Sequence, residues 1–250
     1  ESVMTRLEEN QAWMADFLTD ICKIPALSPK NMGNGEWAKA EKIMEYLKDI
    51  PFDSVEIVKS PDPDADRGTR PNIIARWGEG SPVLWIISHI DIVPEGDRKL
   101  WDTDPFLPVI KDGRLYGRGV EDNGQGIATS LFAFKTLMEF GLKPALPVAL
   151  AFVADEETSS RHGIRYLIEK GYFQKEDLLL FPDAGSPDGS YIEVAEKSHL
   201  QLRVETTGKQ VHASRPHKGK NALRAASKFL LELDRDLHER YHKKDPLFSP

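Results

Sequence analysis

Hydrophobic positions repeat at helical spacing in three stretches of the first part of the chain. The stretch from Leu7 to Ile24 has this spacing and is followed by Pro25, which does not continue a helix. A second helix is predicted over about residues 35–47. A third is predicted over residues 127–140, because Gly141 is a typical C-terminal stop.

Short β-rich runs alternate with these helices. Asp112-Gly113 lies at the centre of a predicted hairpin turn. The predicted strands are residues 55–58, 72–77, 83–88, 146–154 and 178–181. The last two runs are continuously apolar, which is typical of central strands covered on both faces. Strands that alternate with helices predict an α/β fold, with a mixed, mostly parallel sheet and flanking helices.

The pattern changes after about residue 196. From Leu200 to Thr206 apolar and polar residues alternate, as in an antiparallel strand with one face in solvent. Residues 221–241 then show the spacing of a long amphipathic helix. One strand and one helix are too few to close a layer. We therefore expect residues 1–196 to form one domain and residues 197–250 to be the beginning of an α+β domain that continues beyond this chain.

Composition argues against several classes of partner. The 250 residues have a formal net charge of −7 and no basic cluster, which argues against nucleic acid and against an anionic membrane surface. Cys22 is the only cysteine, which excludes an internal disulfide and fits a reducing compartment. The longest apolar runs are far shorter than the ~20 residues that span a bilayer. The sequence shows no secretory signal, so we expect a cytoplasmic protein.

Side chains that packing does not explain follow several of the predicted strands. Glu156 and Glu157 stand after the apolar run over residues 148–153. Adjacent carboxylates at the end of a buried strand have no packing role, so a cation should face them. His89 ends an earlier run, and Asp183 follows a later one. Asp122 lies in a glycine-rich loop. Because the carboxyl ends of strands in an open α/β sheet border one crevice, these side chains should converge and bind a metal.

Each of these residues also has a simpler explanation. A lone histidine after a strand is usually a satisfied polar residue, and Asp122 could cap the helix that follows it. In His89-Ile90-Asp91, however, the two polar residues share one face, so Asp91 can accept the second imidazole N–H of a metal-bound histidine. The loop over residues 117–126 fits neither the dinucleotide fingerprint nor the phosphate loop. Of all these candidates, the adjacent Glu156 and Glu157 are the hardest to explain without a metal.

Five motifs together resemble a known family. They are Ser88-His89-Ile90-Asp91-Ile92-Val93-Pro94; residues 101–106; Asp112-Gly113-Arg114-Leu115-Tyr116-Gly117-Arg118-Gly119 with Asp122; Asp155-Glu156-Glu157; and Val211-His212-Ala213-Ser214 with Gly219 and Asn221. In this order, over residues 3–245, they resemble the co-catalytic zinc hydrolases that include aminoacylase, acetylornithine deacetylase, succinyl-diaminopimelate desuccinylase and dipeptidases. The resemblance implies a zinc aminopeptidase-like catalytic domain followed by a lid domain.

The resemblance also implies a role for each candidate residue of the catalytic domain. His89, Asp122 and Asp183 would bind one zinc ion. Asp122 would bridge to a second zinc ion held by Glu157, and Co²⁺ or Mn²⁺ can substitute for zinc. Asp91 would orient the imidazole. Glu156 would be the general base that takes a proton from the attacking water.

For the lid domain, the family pattern implies a homodimer in which His212 enters the partner's active site and donates to the oxyanion. Arg215, Lys218 and Asn221 lie near it and are candidates for binding a substrate carboxylate, although they are equally well explained as solvated loop residues.

Two features depart from the family pattern. The family loop usually carries Asp-x-Lys-Gly or Asp-Asp-Lys-Gly, whereas Asp122 is followed by Asn123-Gly124-Gln125-Gly126. The family also supplies a final histidine ligand of the second zinc after the lid, and this chain ends before such a residue. We therefore expect the 250 residues to be the N-terminal part of a longer protein.

The predicted function is metal-dependent hydrolysis of an amide bond in an N-acyl amino acid or a short peptide. The alternative is a non-catalytic metal-binding or scaffold relative with the same fold. Glu156 separates the two, since a non-catalytic relative has no use for a free carboxylate beside the ligand Glu157.

Overall fold

The structure is a computed structural model that describes residues 2–186, 188–196 and 200–242. Its internal contacts divide the chain into two compact units, Glu1–Gly185 and Ser186–Pro250. The domain boundary predicted at residue 196 lies inside the second unit, and it stays a prediction.

The first unit contains helices and strands in alternation. The helices are α1 (Val3–Glu9), α2 (Gln11–Cys22), α3 (Trp37–Leu47), α4 (Gly126–Glu139) and α5 (Ile164–Glu169). The strands are β1 (Ser54–Pro61), β2 (Thr69–Trp77), β3 (Leu84–His89), β4 (Val109–Lys111), β5 (Arg114–Tyr116), β6 (Val148–Val153) and β7 (Leu178–Leu180). Single 3-10 turns lie at Pro29–Asn31, Asp66–Gly68 and Arg98–Leu100, and a π-helical turn at Val120–Gln125 precedes α4.

The main sheet has the strand order β1-β2-β6-β3-β7. Strands β6, β3 and β7 run parallel, whereas β1 pairs with β2 and β2 with β6 in antiparallel orientation. The predicted α/β class with a mixed sheet is confirmed. The sheet was predicted to be mostly parallel, but only two of its four strand pairings are parallel. One reason is that the connection between β1 and β2 is too short for the crossover that parallel strands need.

Strand β6 lies in the middle of the sheet and is buried along its whole length, as its continuous apolar sequence predicts. On one face Phe152 belongs to an apolar cluster with Leu131 of α4. On the other face Ala151 belongs to a second cluster with Leu167 of α5. The core therefore has a layer on each side of the sheet, and β6 is fixed from both.

Strand β7 does not have the central position that its apolar sequence predicts. Among the described residues it pairs only with β3 and forms the edge of the sheet. Leu178, Leu179 and Leu180 are 53%, 51% and 50% exposed. An apolar run indicates that a strand tends to be buried, but it carries no information about the order of strands in the sheet.

The other predicted elements of this unit are found with shifted ends. The helix predicted from Leu7 to Ile24 is divided at Asn10, which caps the end of α1 and whose side-chain Nδ2 donates to the carbonyl oxygen of Arg6. The predicted hairpin is present as β4 and β5. Asp112 and Gly113 have φ values of 52° and 73°, the left-handed conformation that a tight two-residue turn requires.

In the second unit, α6 (Ala222–Arg240) matches the predicted amphipathic helix. The strand predicted over residues 200–206 is not formed, and in this described segment Leu200 and Leu202 are 77% and 57% exposed. Alternation makes a segment suitable for one face of a sheet, but a strand also needs a partner. The described residues of this unit provide only a bridge between Lys209 and Lys220. No helix in the described part of the chain is long and apolar enough to cross a bilayer.

Candidate metal centre

Three adjacent parallel strands place the candidate residues together at their carboxyl ends. Strand β3 ends at His89, which is paired with Val153 at the end of β6. Glu156 follows three residues after that strand end, and Asp183 follows three residues after the end of β7. The carboxyl ends of parallel strands border the crevice in which α/β proteins bind ligands.

The glycine-rich loop brings Asp122 to the same carboxyl ends of the strands. Gly119 has a φ of 75°, and a Cβ atom at this position would lie 2.6 Å from Cγ2 of Ile92. A Cβ atom on Gly126 would collide with the carbonyl oxygen of Pro182. These glycines let the loop pack closely against the segments that follow β3 and β7, which explains their presence without a phosphate.

The imidazole of His89 is the centre of the cluster. Its Nε2 lies 2.8 Å from Oδ1 of Asp122, and 3.9 Å from both Oε2 of Glu156 and Oδ1 of Asp183. The histidine side chain is 3% exposed, whereas those of Asp122, Glu156 and Asp183 are 59%, 47% and 43% exposed. A buried nitrogen thus faces several carboxylates that are open to solvent.

Among the described residues, two overlapping groups of side chains have the geometry to hold a cation. The first is His89, Asp122 and Asp183, and the second is His89, Glu156 and Glu157, each with ligand atoms within 4.8 Å of one another. The first group is the ligand set that the motifs imply for one zinc ion. The second contains Glu157 as expected, together with the residue assigned as the base.

Asp91 lies against the histidine and also binds the segment of the two glutamates. The Nδ1–H of His89 donates to the backbone carbonyl of Asp91 at 3.0 Å, while the nearest carboxylate oxygen is 3.5 Å away. The carboxylate also accepts the backbone N–H groups of Glu156 at 3.0 Å and Glu157 at 3.1 Å. The fully buried Asp91 therefore connects the ends of β3 and β6.

The carboxylates control the charge of the histidine in the metal-free protein. Burial disfavours the imidazolium, but hydrogen bonding to Asp122 and the charge of Asp91 outweigh it and raise the pKa of His89 to about 11. The same hydrogen bond lowers the pKa of Asp122. Without a metal, the positive charge of the cluster is the protonated imidazole itself.

The two glutamates hold protons more tightly than usual. Burial, followed by the negative charge of Asp122, raises the pKa of Glu157 to about 7. Burial also raises the pKa of Glu156, and the positive charge of His89 opposes this effect. Carboxylates with raised pKa values beside other carboxylates are a common property of functional sites.

Asn123 is a residue of the site that the sequence reasoning missed. Its buried Nδ2 donates to Oδ1 of Asp183 at 2.5 Å and to the carbonyl oxygen of Pro182 at 3.1 Å. It thereby holds the segment after β7 against the loop that carries Asp122. The only sequence signal was its place directly after Asp122, in the part of the loop that departs from the family pattern.

The remaining predicted residues belong to the second unit, and their roles stay predictions. Nδ1 of the exposed His212 accepts the backbone N–H of Ser214 at 3.2 Å. Oδ1 of Asn221 accepts the backbone N–H of Arg224 at 2.9 Å and caps α6. Arg215 precedes the 3-10 turn Pro216–Lys218. The cap gives Asn221 a structural role that needs no substrate.

Comparison with known families decides the assignment. Residues 85–239, which include every candidate ligand of the cluster, match the model of peptidase family M20/M25/M40. The chain belongs to this family. The resemblance drawn from the motifs is confirmed at this level.

Relatives of this M20 chain include proteins of two descriptions. It is 40% identical over 240 residues to an uncharacterized metallohydrolase of Methanocaldococcus jannaschii, covering 93% of this chain and 58% of the relative. It is 35% identical over 199 residues to a probable succinyl-diaminopimelate desuccinylase of Staphylococcus aureus, covering 80% of this chain and 46% of the relative. The chain thus spans less than two thirds of the length of these relatives.

A solved structure supports the fold. The dipeptidase Dug1p of Saccharomyces cerevisiae superimposes with a TM-score of 0.62 at 20% identity, over 73% of this chain and 40% of that protein. At this identity the likeness concerns the fold alone, and it agrees with the mixed sheet described above.

Proposed function

We propose that the protein containing this M20 chain hydrolyses an amide bond in an N-acyl amino acid or a short peptide with the help of bound divalent metal ions. The observation that carries the proposal is the convergence of His89, Asp122, Glu156, Glu157 and Asp183 at the carboxyl ends of three parallel strands. A deacylase and a dipeptidase both cleave such bonds; a probable desuccinylase is among the relatives of this chain, and a dipeptidase shares its fold.

The donor set fits a divalent metal. Imidazole nitrogen and carboxylate oxygen are the ligands that zinc takes in hydrolases. Oε1 of Glu157 is buried and has no hydrogen-bond partner among the described residues. An unpaired buried carboxylate oxygen is costly, and a metal ion bound by Glu157 would satisfy it. The proposed cofactor is therefore zinc, two ions per site in the complete protein, with Co²⁺ or Mn²⁺ as substitutes.

The proposal assigns ligands to each ion. His89, Asp122 and Asp183 would hold one ion, and Asp122 with Glu157 would hold the other. When bound, such ions would supply a water molecule of lowered pKa and polarisation of the scissile carbonyl group. Asp91 keeps the backbone of the two glutamates and the histidine ring in place through the hydrogen bonds described above.

Glu156 is the proton carrier in this scheme. It takes one proton from the attacking water as the new C–O bond forms, and gives it to the leaving nitrogen as the C–N bond breaks. The products are a carboxylic acid and an amine, so no other reactant is required. Burial raises its pKa, and an upward shift of a carboxyl pKa favours its use as a base and then as an acid.

The second unit is proposed to be part of a lid that mediates homodimer formation, with His212 acting in the partner's site. Arg215 and Asn221 are proposed contacts for the substrate carboxylate. The capping role of Asn221 is an alternative explanation for that residue. The proposed location of the protein is the cytoplasm.

A metal and substrate survey of the full-length protein tests the proposed function. Metal-free protein is loaded with zinc or cobalt and incubated with acetyl- and succinyl-amino acids and with dipeptides. Turnover that depends on added metal is expected for at least one substrate. Stoichiometric metal binding without turnover of any of them would favour the alternative, a non-catalytic metal-binding relative.

Replacement of the proposed base sharpens the test. Glu156→Gln should lower kcat by roughly 10²–10⁴-fold and leave the metal content unchanged, since it removes a base and no assigned ligand. Glu176→Gln, at an exposed acid of the same unit, is the matched control and should have wild-type activity. Activity above about a tenth of wild type in Glu156→Gln would contradict the assignment of the base.

A further inference from the structure

A buried ionic cluster contacts Asp155, the residue before the two glutamates, and contains none of the proposed metal ligands. Its centre is Arg70 of β2, which is 1% exposed. The Nε–H of Arg70 donates to Oε2 of Glu36 at 2.6 Å, and its Nη2 pairs with Oε1 of the same carboxylate. Glu36 is fully buried. A fork-shaped guanidinium bound by both oxygens of one carboxylate fixes the orientation of both side chains.

This ion pair extends to the residue directly before the two glutamates. Oε1 of Glu36 also accepts the backbone N–H of Asp155 at 3.4 Å. Nη1 of Arg70 lies 3.6 Å from Oδ1 of Asp155. The main chain and the side chain of Asp155 are therefore both tied to the pair.

Asp155 in turn organises the segment that carries the glutamates. It has a φ of 63°, in the left-handed region. Its carboxylate accepts the hydroxyls of Thr158 and Ser159 and the backbone N–H of His162, the last at 3.1 Å. Its carbonyl oxygen accepts the N–H of Ser160. Residues 155–162 are thus folded around one buried aspartate, and Glu156 and Glu157 are the first residues of that fold.

The backbone of the two glutamates is therefore held on two sides. Asp91 binds their N–H groups from the end of β3. Arg70 and Glu36 hold the preceding residue from β2 and from the start of α3. A change in the orientation of Asp155 would turn both glutamate side chains relative to His89, because it lies directly before them in the chain.

We infer that Arg70 and Glu36 are positioning residues of the hydrolytic site, which act through Asp155 to set the direction of the Glu156 and Glu157 carboxylates. The inference rests on the proposed function for its kinetic part. Its structural part concerns the coordination of a bound metal and stands independently of any substrate.

Arg70→Lys in the full-length protein tests this inference. Lysine keeps the positive charge in the buried cluster but cannot bind Glu36 with two parallel hydrogen bonds and still reach Asp155. A displacement of about 1 Å at a reacting group is enough for a loss on the order of 100-fold. We expect kcat to fall by about 10–100-fold, with KM changed by less than about threefold. The visible absorption of the Co²⁺-loaded protein should change as well.

Arg76→Lys is the matched control. Arg76 lies on the same strand, and its guanidinium stacks 4.8 Å from the ring of Trp85 rather than in the ionic cluster. This variant should keep the wild-type kcat and cobalt spectrum. All measurements are made well below the melting temperature of each variant, so that only folded protein is compared.

A purely structural role predicts a different result for Arg70→Lys. The melting temperature would fall, while the folded variant would keep the wild-type kcat and cobalt spectrum, and this outcome would overturn the inference. If Arg70→Lys does not fold, Thr158→Val/Ser159→Ala loosens the same turn from its partly exposed side. The same loss of kcat and change of spectrum are then expected, and their absence would overturn the inference.

Failure of the proposed function would be seen separately. If the wild-type protein binds cobalt but hydrolyses no substrate, the function is refuted, while the cobalt spectra of Arg70→Lys and Arg76→Lys still decide whether the ionic cluster positions the glutamates.

Discussion

Metal binding to this protein is expected to release protons, in a number that depends on pH. In the metal-free protein the pKa of His89 is raised to about 11, because the hydrogen bond to Asp122 and the charge of Asp91 outweigh the effect of burial. Burial and the charge of Asp122 raise the pKa of Glu157 to about 7. An imidazole and a carboxylate must both lose their proton to bind a metal.

The number follows from these two pKa values. At pH 8 the proton that each group must lose is present on nearly all His89 side chains and on about a tenth of Glu157 side chains. Saturating metal should therefore release about 1.1 protons per chain. At pH 6 Glu157 carries about 0.9 proton, and the release should rise to about 1.9. The logarithm of the overall binding constant should therefore rise with pH by about two per unit below pH 6.5 and by about one per unit above pH 7.5.

The same shifts fix the sign of the pH effect on the metal-free fold. Both folded-state pKa values lie above their ordinary values of 6.5 for His89 and 4.5 for Glu157. Each of these two groups therefore stabilises the metal-free fold to its full extent when the pH lies below the ordinary pKa of that group. The contribution of Glu157 is lost as the pH rises through about 7, and that of His89 as it rises through about 11.

An indicator dye in weakly buffered solution measures the release when excess zinc or cobalt is added to metal-free protein at pH 6 and pH 8. Metal added to buffer alone is the blank. Glu157→Gln is the matched variant, and it should release about one proton at both pH values. Release of one proton by wild-type protein at both pH values would refute the raised pKa of Glu157. Absence of release at pH 8 would refute a protonated His89.

Three further predictions concern single residues. Asp122→Ala should lose both metal ions in a metal analysis, because the proposed bridging carboxylate binds both. Retention of two equivalents of metal would refute the bridge. Retention of one equivalent would point to the group that contains Glu156. Asn123→Ala should weaken metal binding by about 10–100-fold in chelator competition, since it frees Asp183 from its buried hydrogen bond, and unchanged affinity would contradict this role. Mixing full-length His212→Ala with Glu156→Gln should restore activity if His212 acts across a dimer; with subunit exchange shown independently, no recovery would mean that it acts within its own chain or not at all.

The strand ends of the site were predictable from sequence because parallel strands have a polarity. His89, Glu156 and Asp183 each follow an apolar run, and the carboxyl ends of β3, β6 and β7 do lie together. What the sequence reasoning could not supply was the direction of individual hydrogen bonds. Asp91 was expected to bind the imidazole, but nothing in the sequence indicated that its carboxylate also binds two backbone N–H groups of a segment 65 and 66 residues away.

Long-range contacts explain the other differences. Asn123 gives no local sign that it binds Pro182 and Asp183, because the partner segment lies about sixty residues later in the chain. The ion pair of Arg70 with Glu36 joins β2 to the start of α3 and follows from no periodic pattern. Similarly, the edge position of β7 depends on strand order, which the apolar content of Leu178–Leu180 does not encode.

The pairing of His89 with Val153 has a consequence for how the chain reaches its correct fold. A slip of β6 against β3 by one residue would shift Glu156 by about 3.3 Å and turn every side chain of β6 to the opposite face. Such a misregistered sheet would still bury apolar residues on both faces, since β6 is apolar throughout. It would lack the ligand cluster, however, and a metal that binds only the correct register stabilises that register alone, by an amount that grows with metal concentration. Metal availability during folding would then select among alternative strand alignments.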